Sequence, residues 1–196
     1  YLTIGRIAEG WKGYENRKHI PEQYPLLAAD LPAGVSFWEG QDLTDRRIFI
    51  SSEQGIGDEI MFSSCFPEII DRAAYTVIEC ENRLLPLFQR SFPKAHFIAR
   101  QFKKDKSGKK MKRSLEQLKP HFPLHYAVAA GTLPRYLRTK LEDFPDRESY
   151  LKADPAYVEA WGKRMKDYDG KLKVGLCWRS GNHGYQRRKY YLDLDL

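Results

Sequence analysis

Arg47-Ile-Phe-Ile-Ser-Ser-Glu-Gln-Gly-Ile-Gly-Asp-Glu-Ile-Met-Phe62 is the stretch whose reading decides the fold. Arg47 to Ser52 is short and nearly continuous in apolar and β-favouring residues, the composition of a parallel strand buried on both faces. Gly55 and Gly57 mark a tight turn. From Asp58 onward, Ile60, Met61, Cys65, Ile69 and Ile70 recur close to a 3.6-residue period, which predicts a helix packed on a sheet. The product is a strand, a glycine turn and a helix. In such a unit ligands gather at the carboxyl end of the strand, where helical N–H groups are unpaired and glycine lets another molecule approach the backbone.

The alternation continues. Thr76–Glu81 reads as a second strand, Asn82–Ser91 as a short helix bearing Leu84, Leu85, Leu87 and Phe88, and Ala95–Ala99 as a third strand. Tyr126–Gly131 adds another. Strands alternating with helices imply crossovers and a parallel sheet, so the expected class is α/β, Rossmann-like, with flanking helices. Before it, Ile4, Ile7, Trp11 and Tyr14 give residues 1–18 an amphipathic helix, and Pro21, Pro25 and Pro32 mark an irregular connector in which Phe37–Gly40 packs onto the domain. After it, Asp154-Pro155 opens a helix whose apolar face is Val158, Trp161 and Met165. Lys173-Val-Gly-Leu-Cys-Trp178 then reads as a buried strand beginning a new unit. The boundaries are 1–45, 46–153, 154–172 and 173–196.

A chain of 196 residues holds one ordinary domain, or one plus an incomplete second. It opens without Met and closes on Leu-Asp-Leu, so a piece of a longer protein is expected. No apolar run reaches the length of a membrane span and no leader is visible, which predicts a soluble, cytoplasmic protein. Cys65, Cys80 and Cys177 lack metal-ligand spacing and read as reduced core thiols; no metal is expected. The net charge of +7 is concentrated: Arg100 to Arg113 carries eight Lys or Arg against the single Asp105. That segment reads as a solvated, mobile insertion, or else as a contact for an acidic partner or phosphate-bearing substrate. It lacks the interleaved aromatics that stack on bases, so nucleic acid is not an expected partner.

The residues after Gly57 separate three ligand chemistries. A dinucleotide fingerprint G-x-G-x-x-G needs a small residue where Ile60 stands, and Asp58 would repel its pyrophosphate. A methyltransferase-like E-x-G-x-G-x-G is met at Glu53, Gly55 and Gly57, with Glu79 or Glu81 as the ribose-binding acid, but fails at Glu59. The third pattern, G-x-G-D and an apolar helix with a proline, is met by Gly55, Gly57, Asp58 and Pro67. It resembles the acceptor-side loop of heptosyltransferase-like (family 9-like) glycosyltransferases. Gly10-Trp-Lys-Gly-Tyr-Glu-Asn-Arg17 likewise resembles the helix between tetratricopeptide repeats and the catalytic part in a bacterial, repeat-bearing class of these enzymes, although a plain terminal helix fits the same spacing. Thr132-Leu-Pro134 stands where that class has a Ser-Leu-Pro-like turn, and Val174-Gly-Leu-Cys-Trp-Arg-Ser-Gly181 resembles its first donor-side strand and loop.

The resemblance implies the acceptor-side half of a GT-B fold plus the first strand of the second domain. It implies a nucleotide-sugar substrate, no other cofactor, and a protein or glycan acceptor, flagellar or surface proteins among the possibilities. By that analogy Asp58 is the general base, and Glu53, Gln54, Gly55, Gly57, Thr132 and Arg135 form the acceptor-side loops. Arg179, Ser180, Gly181, Arg188 and, if the register slips, Arg187 meet the donor diphosphate, as guanidinium groups do with two hydrogen bonds. From the residues alone Asp58 reads as a helix cap and only the resemblance makes it a base, Glu53 and Glu59 are reserve carboxylates, Arg135 and Arg138 are solvated cations or phosphate contacts, and His183 is incidental. A methyltransferase and a non-catalytic interaction domain stay open beside the glycosyltransferase.

Overall fold

The computed structural model describes residues 1–19, 31–53, 55–104 and 111–176. The chain divides into two compact units, Tyr1–Asp154 and Pro155–Leu196. In the first, five parallel strands lie in the order β1 (Ser36–Phe37), β7 (Tyr126–Ala129), β2 (Arg47–Ser51), β3 (Tyr75–Cys80) and β4 (His96–Ala99). Helices α1 (Ile7–Tyr14), α2 (Ile56–Phe62), α3 (Phe66–Arg72), α4 (Leu85–Ser91) and α5 (Leu133–Leu137) accompany it. The α/β, Rossmann-like class expected from the sequence is the one the chain adopts.

Strand β2 holds the middle of the sheet because it is apolar toward both faces. Ile48 and Ile50 join Ile78 and Val128 in the larger core, against Phe62, Phe66, Ile69, Phe88, Phe92 and Leu133 of the helices. Phe49 points the other way, with Val77, Ala127 and Ala129, onto Leu118 and Leu124. Each such buried side chain contributes about 1.5–3 kcal/mol of transfer free energy, so this strand cannot slip by one residue without turning its core contacts over. Travel from β2 to β3 to β4 goes one way across the sheet, with the helices on one face. The return from β4 to β7 goes the other way, and a crossover of the same hand must then cover the opposite face. The 3-10 helix Glu116–His121 that carries Leu118 does so.

Four expectations need correction. The single apolar helix after Asp58 is two: α2 ends at Phe62, residues 63–65 form a 3-10 turn, and α3 restarts with Pro67 in its first turn. Proline has no N–H and fits only a helix start, so the period does not carry across, and Met61 is 51% exposed. The strand expected to reach Gly131 stops at Ala129 and turns through a 3-10 helix, Ala130–Thr132, into α5. The described ends of the basic segment are strands: β5 (Gln101–Lys104) pairs antiparallel with β6 (Met111–Ser114). The second unit opens with α6 (Pro155–Met165); of the strand expected over Lys173–Trp178, residues 173–176 pair with no strand among the described residues, with Val174 and Leu176 exposed, and Cys177 and Trp178 lie outside the described residues. A strand buried on both faces needs neighbours to bond and cover it, and no described residue supplies them. No helix among the described residues is long and apolar enough to cross a membrane.

Candidate functional site

The carboxyl edge of the sheet gathers the segments that follow β2, β3, β4 and β7, and two buried ionic networks lie among them. The first begins at Glu53, just past β2. Its Oε1 accepts the Gly131 amide at 2.7 Å, just past the neighbouring β7. The same oxygen accepts from Arg17 Nη2 at 3.3 Å, and that nitrogen also donates to Thr132 Oγ1 at 3.1 Å. Arg17 Nη1 donates to Glu15 Oε1 at 2.7 Å and to the Tyr14 carbonyl at 3.2 Å. Thr132 Oγ1 in turn donates to Glu15 Oε1 at 3.0 Å, while Lys18 pairs with Glu15 Oε2 and Arg135 Nη1 lies 3.8 Å from it. The guanidinium carbon of Arg17 sits 4.2 Å from the Tyr14 ring centroid, a cation–π contact.

The charges in this network are set by burial and by pairing. Burial pushes the Glu53 carboxyl above its ordinary pKa, with Arg17 and the Gly131 amide opposing. Burial acts the same way on Glu15, but hydrogen bonds from Lys18 and Arg17 outweigh it and hold that carboxyl below its ordinary value. The Tyr14 phenol is pushed up, first by burial and then by the charge of Glu53, with Asp58 adding to it.

The second network begins at Glu59 in the first turn of α2. Its Oε2 accepts the Glu81 amide at 2.8 Å, just past β3, and its Oε1 lies 3.4 Å from Arg100 Nη1, just past β4. Arg100 also donates to the Glu53 carbonyl, so both networks meet at the backbone of the glycine turn. Burial raises the Glu59 carboxyl to about 7 despite the Glu81 amide and Arg100. On the opposite face Glu79 accepts from Ser52 Oγ at 3.0 Å, from Arg113 Nε at 3.1 Å and from Gln117 Nε2 at 3.4 Å. Arg113 is therefore folded inward.

Asp58 lies between these anchors and is exposed. It is not the helix cap: Gly55 holds the N-cap position, with no side-chain capping bond. Oδ2 of Asp58 would lie 3.1 Å from a Cβ added at Gly55, so the carboxylate folds back over the turn and that glycine leaves it room. Glu53, Gly131 and Thr132 come together as described, with Gly55 and Gly57 in the turn and Arg135 at the rim. Arg138 does not join them. It is buried, donates to the Leu137 carbonyl at 2.8 Å and pairs with Glu68, so it is neither a solvated cation nor a phosphate contact. Glu79, weighed as a ribose-binding acid, is engaged by Arg113, Ser52 and Gln117. Gln54, Arg179, Ser180, Gly181, His183, Arg187 and Arg188 lie outside the described residues.

Sequence reading assigned no role to Glu15, Arg17, Arg100 or Arg113. For the first pair a signal was present: Glu15 and Arg17 close an amphipathic helix within the Gly10–Arg17 wording. Nothing local distinguishes Arg100 or Arg113 from the basic residues between them.

No family model matches the chain, and no solved structure does. It is similar to a curated protein, Protein FlbA of Caulobacter vibrioides, with 33% identity over 193 residues. The match covers 97% of this chain and 32% of that protein, so the chain spans about a third of the length of the relative.

Proposed function

We propose that this chain carries the acceptor-side part of a glycosyltransferase that moves a sugar from a nucleotide-sugar donor to a hydroxyl of a protein or glycan acceptor, with Asp58 as the general base. The observation that carries the reading is the division of labour among the carboxylates of the glycine turn. Glu53 and Glu59 are buried and each accepts a backbone amide, whereas Asp58 is exposed at the edge of a parallel sheet where ligands bind.

In this chemistry the acceptor oxygen attacks the anomeric carbon and its proton passes to Asp58. The bond from that carbon to the diphosphate breaks, and the nucleotide diphosphate leaves with the electron pair. Positive charge must meet the leaving diphosphate, the role proposed for Arg179 and Arg188, or Arg187, with Ser180 and Gly181. A metal is not part of the proposal. The acceptor class, protein or glycan, rests on the resemblance to repeat-bearing enzymes. A methyl donor is the weaker fit, because Glu79 is engaged by Ser52 and Arg113 and Glu81 is paired with Arg83.

The test is a donor screen with the full-length protein: release of nucleotide diphosphate from a panel of nucleotide sugars, with cell extract as the source of acceptor, beside a binding assay for S-adenosylmethionine. Turnover of one nucleotide sugar is expected. Binding of S-adenosylmethionine with no turnover of any sugar donor would overturn the proposal.

A further inference from the structure

We infer that Arg17 is a positioning residue for the Gly55-Ile-Gly-Asp58 turn, acting through Glu53, so that the segment preceding the sheet is a working part of the site. Its functional consequence rests on the glycosyltransferase reading. The geometry is one of three chain segments joined by a single side chain. Arg17 stands 36 residues before Glu53 and 115 before Thr132, and one of its nitrogens reaches both. Its other nitrogen is held by Glu15 and by the Tyr14 carbonyl, and the Tyr14 ring lies against the guanidinium. The side chain is 7% exposed, so it is committed to these partners and not offered to a substrate.

The consequence of losing it follows from charge. Glu53 would then keep the Gly131 amide but lose the cation it pairs with, while Glu15 would lose one of its cations and keep Lys18. A buried carboxylate without its counter-charge either takes up a proton or moves toward water. Either change loosens the bond from Glu53 to Gly131, and with it the fixed spacing between the ends of β2 and β7. Gly55, Gly57 and Asp58 hang directly from that end of β2, so a displacement there moves the proposed base. Lysine cannot replace arginine, because one ammonium cannot reach Glu15 and the Tyr14 carbonyl on one side and Glu53 and Thr132 on the other.

The experiment compares wild type with Arg17→Gln in the full-length protein by two readouts. One is steady-state turnover of the nucleotide sugar that wild type uses; the other is amide hydrogen exchange in the peptide holding Gly131, with peptides of β2 as the core reference. Expected are a fall in kcat of about 10–100-fold, a donor KM within about twofold, and exchange that quickens at Gly131 and not in β2. Unchanged kcat in the folded variant overturns the inference, and so does an equal quickening at Gly131 and β2, which is general loss of stability. If Arg17→Gln does not fold, Arg17→Lys keeps the charge and gives the same test; wild-type behaviour of that variant overturns the inference. If wild type turns over no nucleotide sugar, the glycosyltransferase reading falls, and the exchange readout alone still decides whether Arg17 holds Glu53 to Gly131 at the base of the turn.

Discussion

The amide of Gly131 donates to Oε1 of Glu53 at 2.7 Å, and this one bond ties together the ends of two adjacent parallel strands. Only glycine permits it: a Cβ at position 131 would stand 2.6 Å from that oxygen and 3.0 Å from Arg17 Nη2. Glu53 cannot swing aside without breaking its contacts to Gly131 and Arg17. Gly131→Ala is therefore expected to cost about 1–3 kcal/mol, as overpacking of a filled site does. The check is urea unfolding, with a lower midpoint at an unchanged slope; a wild-type midpoint would contradict the close approach.

Arg113 and Glu79 make a second testable pair. Glu79 is buried to 1% exposure and Arg113 supplies its counter-charge. Arg113→Ala is expected to destabilise the fold by about 3–5 kcal/mol, the cost of leaving a buried charge without its partner. Combining it with Glu79→Gln should recover much of that loss. A surface-like change, within about 0.5 kcal/mol, would contradict the buried pairing of Arg113 with Glu79.

What the sequence makes legible here is what periodicity and turn chemistry encode. The run Arg47–Ser51 and the glycines after it mark the central strand and the turn, and β3, β4 and α4 follow from the same alternation. Strand β1 is only Ser36–Phe37, too short for a period of two to register. The break at Pro67 falls inside an apolar pattern that looks continuous, because a helix restarting on the same face keeps nearly the same spacing. The site divides along the same line. Glu53, Gly55, Gly57, Asp58 and Thr132 are local to strand ends and visible, whereas the partnership of Arg17 with Thr132, 115 residues on, exists only after folding. Arg138 misled for a related reason: its charge marks it as a surface residue, and only Glu68 and the Leu137 carbonyl explain its burial.

Glu59 gives the fold a pH dependence with a definite sign. Its carboxyl is raised by burial from 4.5 to about 7. Between those values the folded protein holds a proton that the unfolded chain releases. The contribution of this group therefore favours folding most at the acid end and declines as pH rises to about 7, by on the order of 3 kcal/mol. Denaturant unfolding of wild type and Glu59→Gln from pH 5 to pH 8 should show the variant gaining on wild type as pH rises. Parallel curves would contradict the raised value.

Cys65 and Cys80 are buried, and burial pushes their thiols up to about 11 and about 12. Thiolate is the reactive form, so both should resist a thiol reagent at pH 8 in the native state and react on unfolding. A Cys177→Ser background isolates them. Rapid labelling of the native protein would mean that the core face holding them is open.

The most direct measurement is turnover by Asp58→Asn in the full-length protein, beside wild type and with donor affinity measured separately. In this variant kcat is expected to fall about 10²–10⁴-fold, the worth of a general base, while donor affinity stays within about twofold and the fold is kept. Wild-type turnover by a folded Asp58→Asn would contradict it, because no other carboxylate of the described glycine turn is exposed to take the proton.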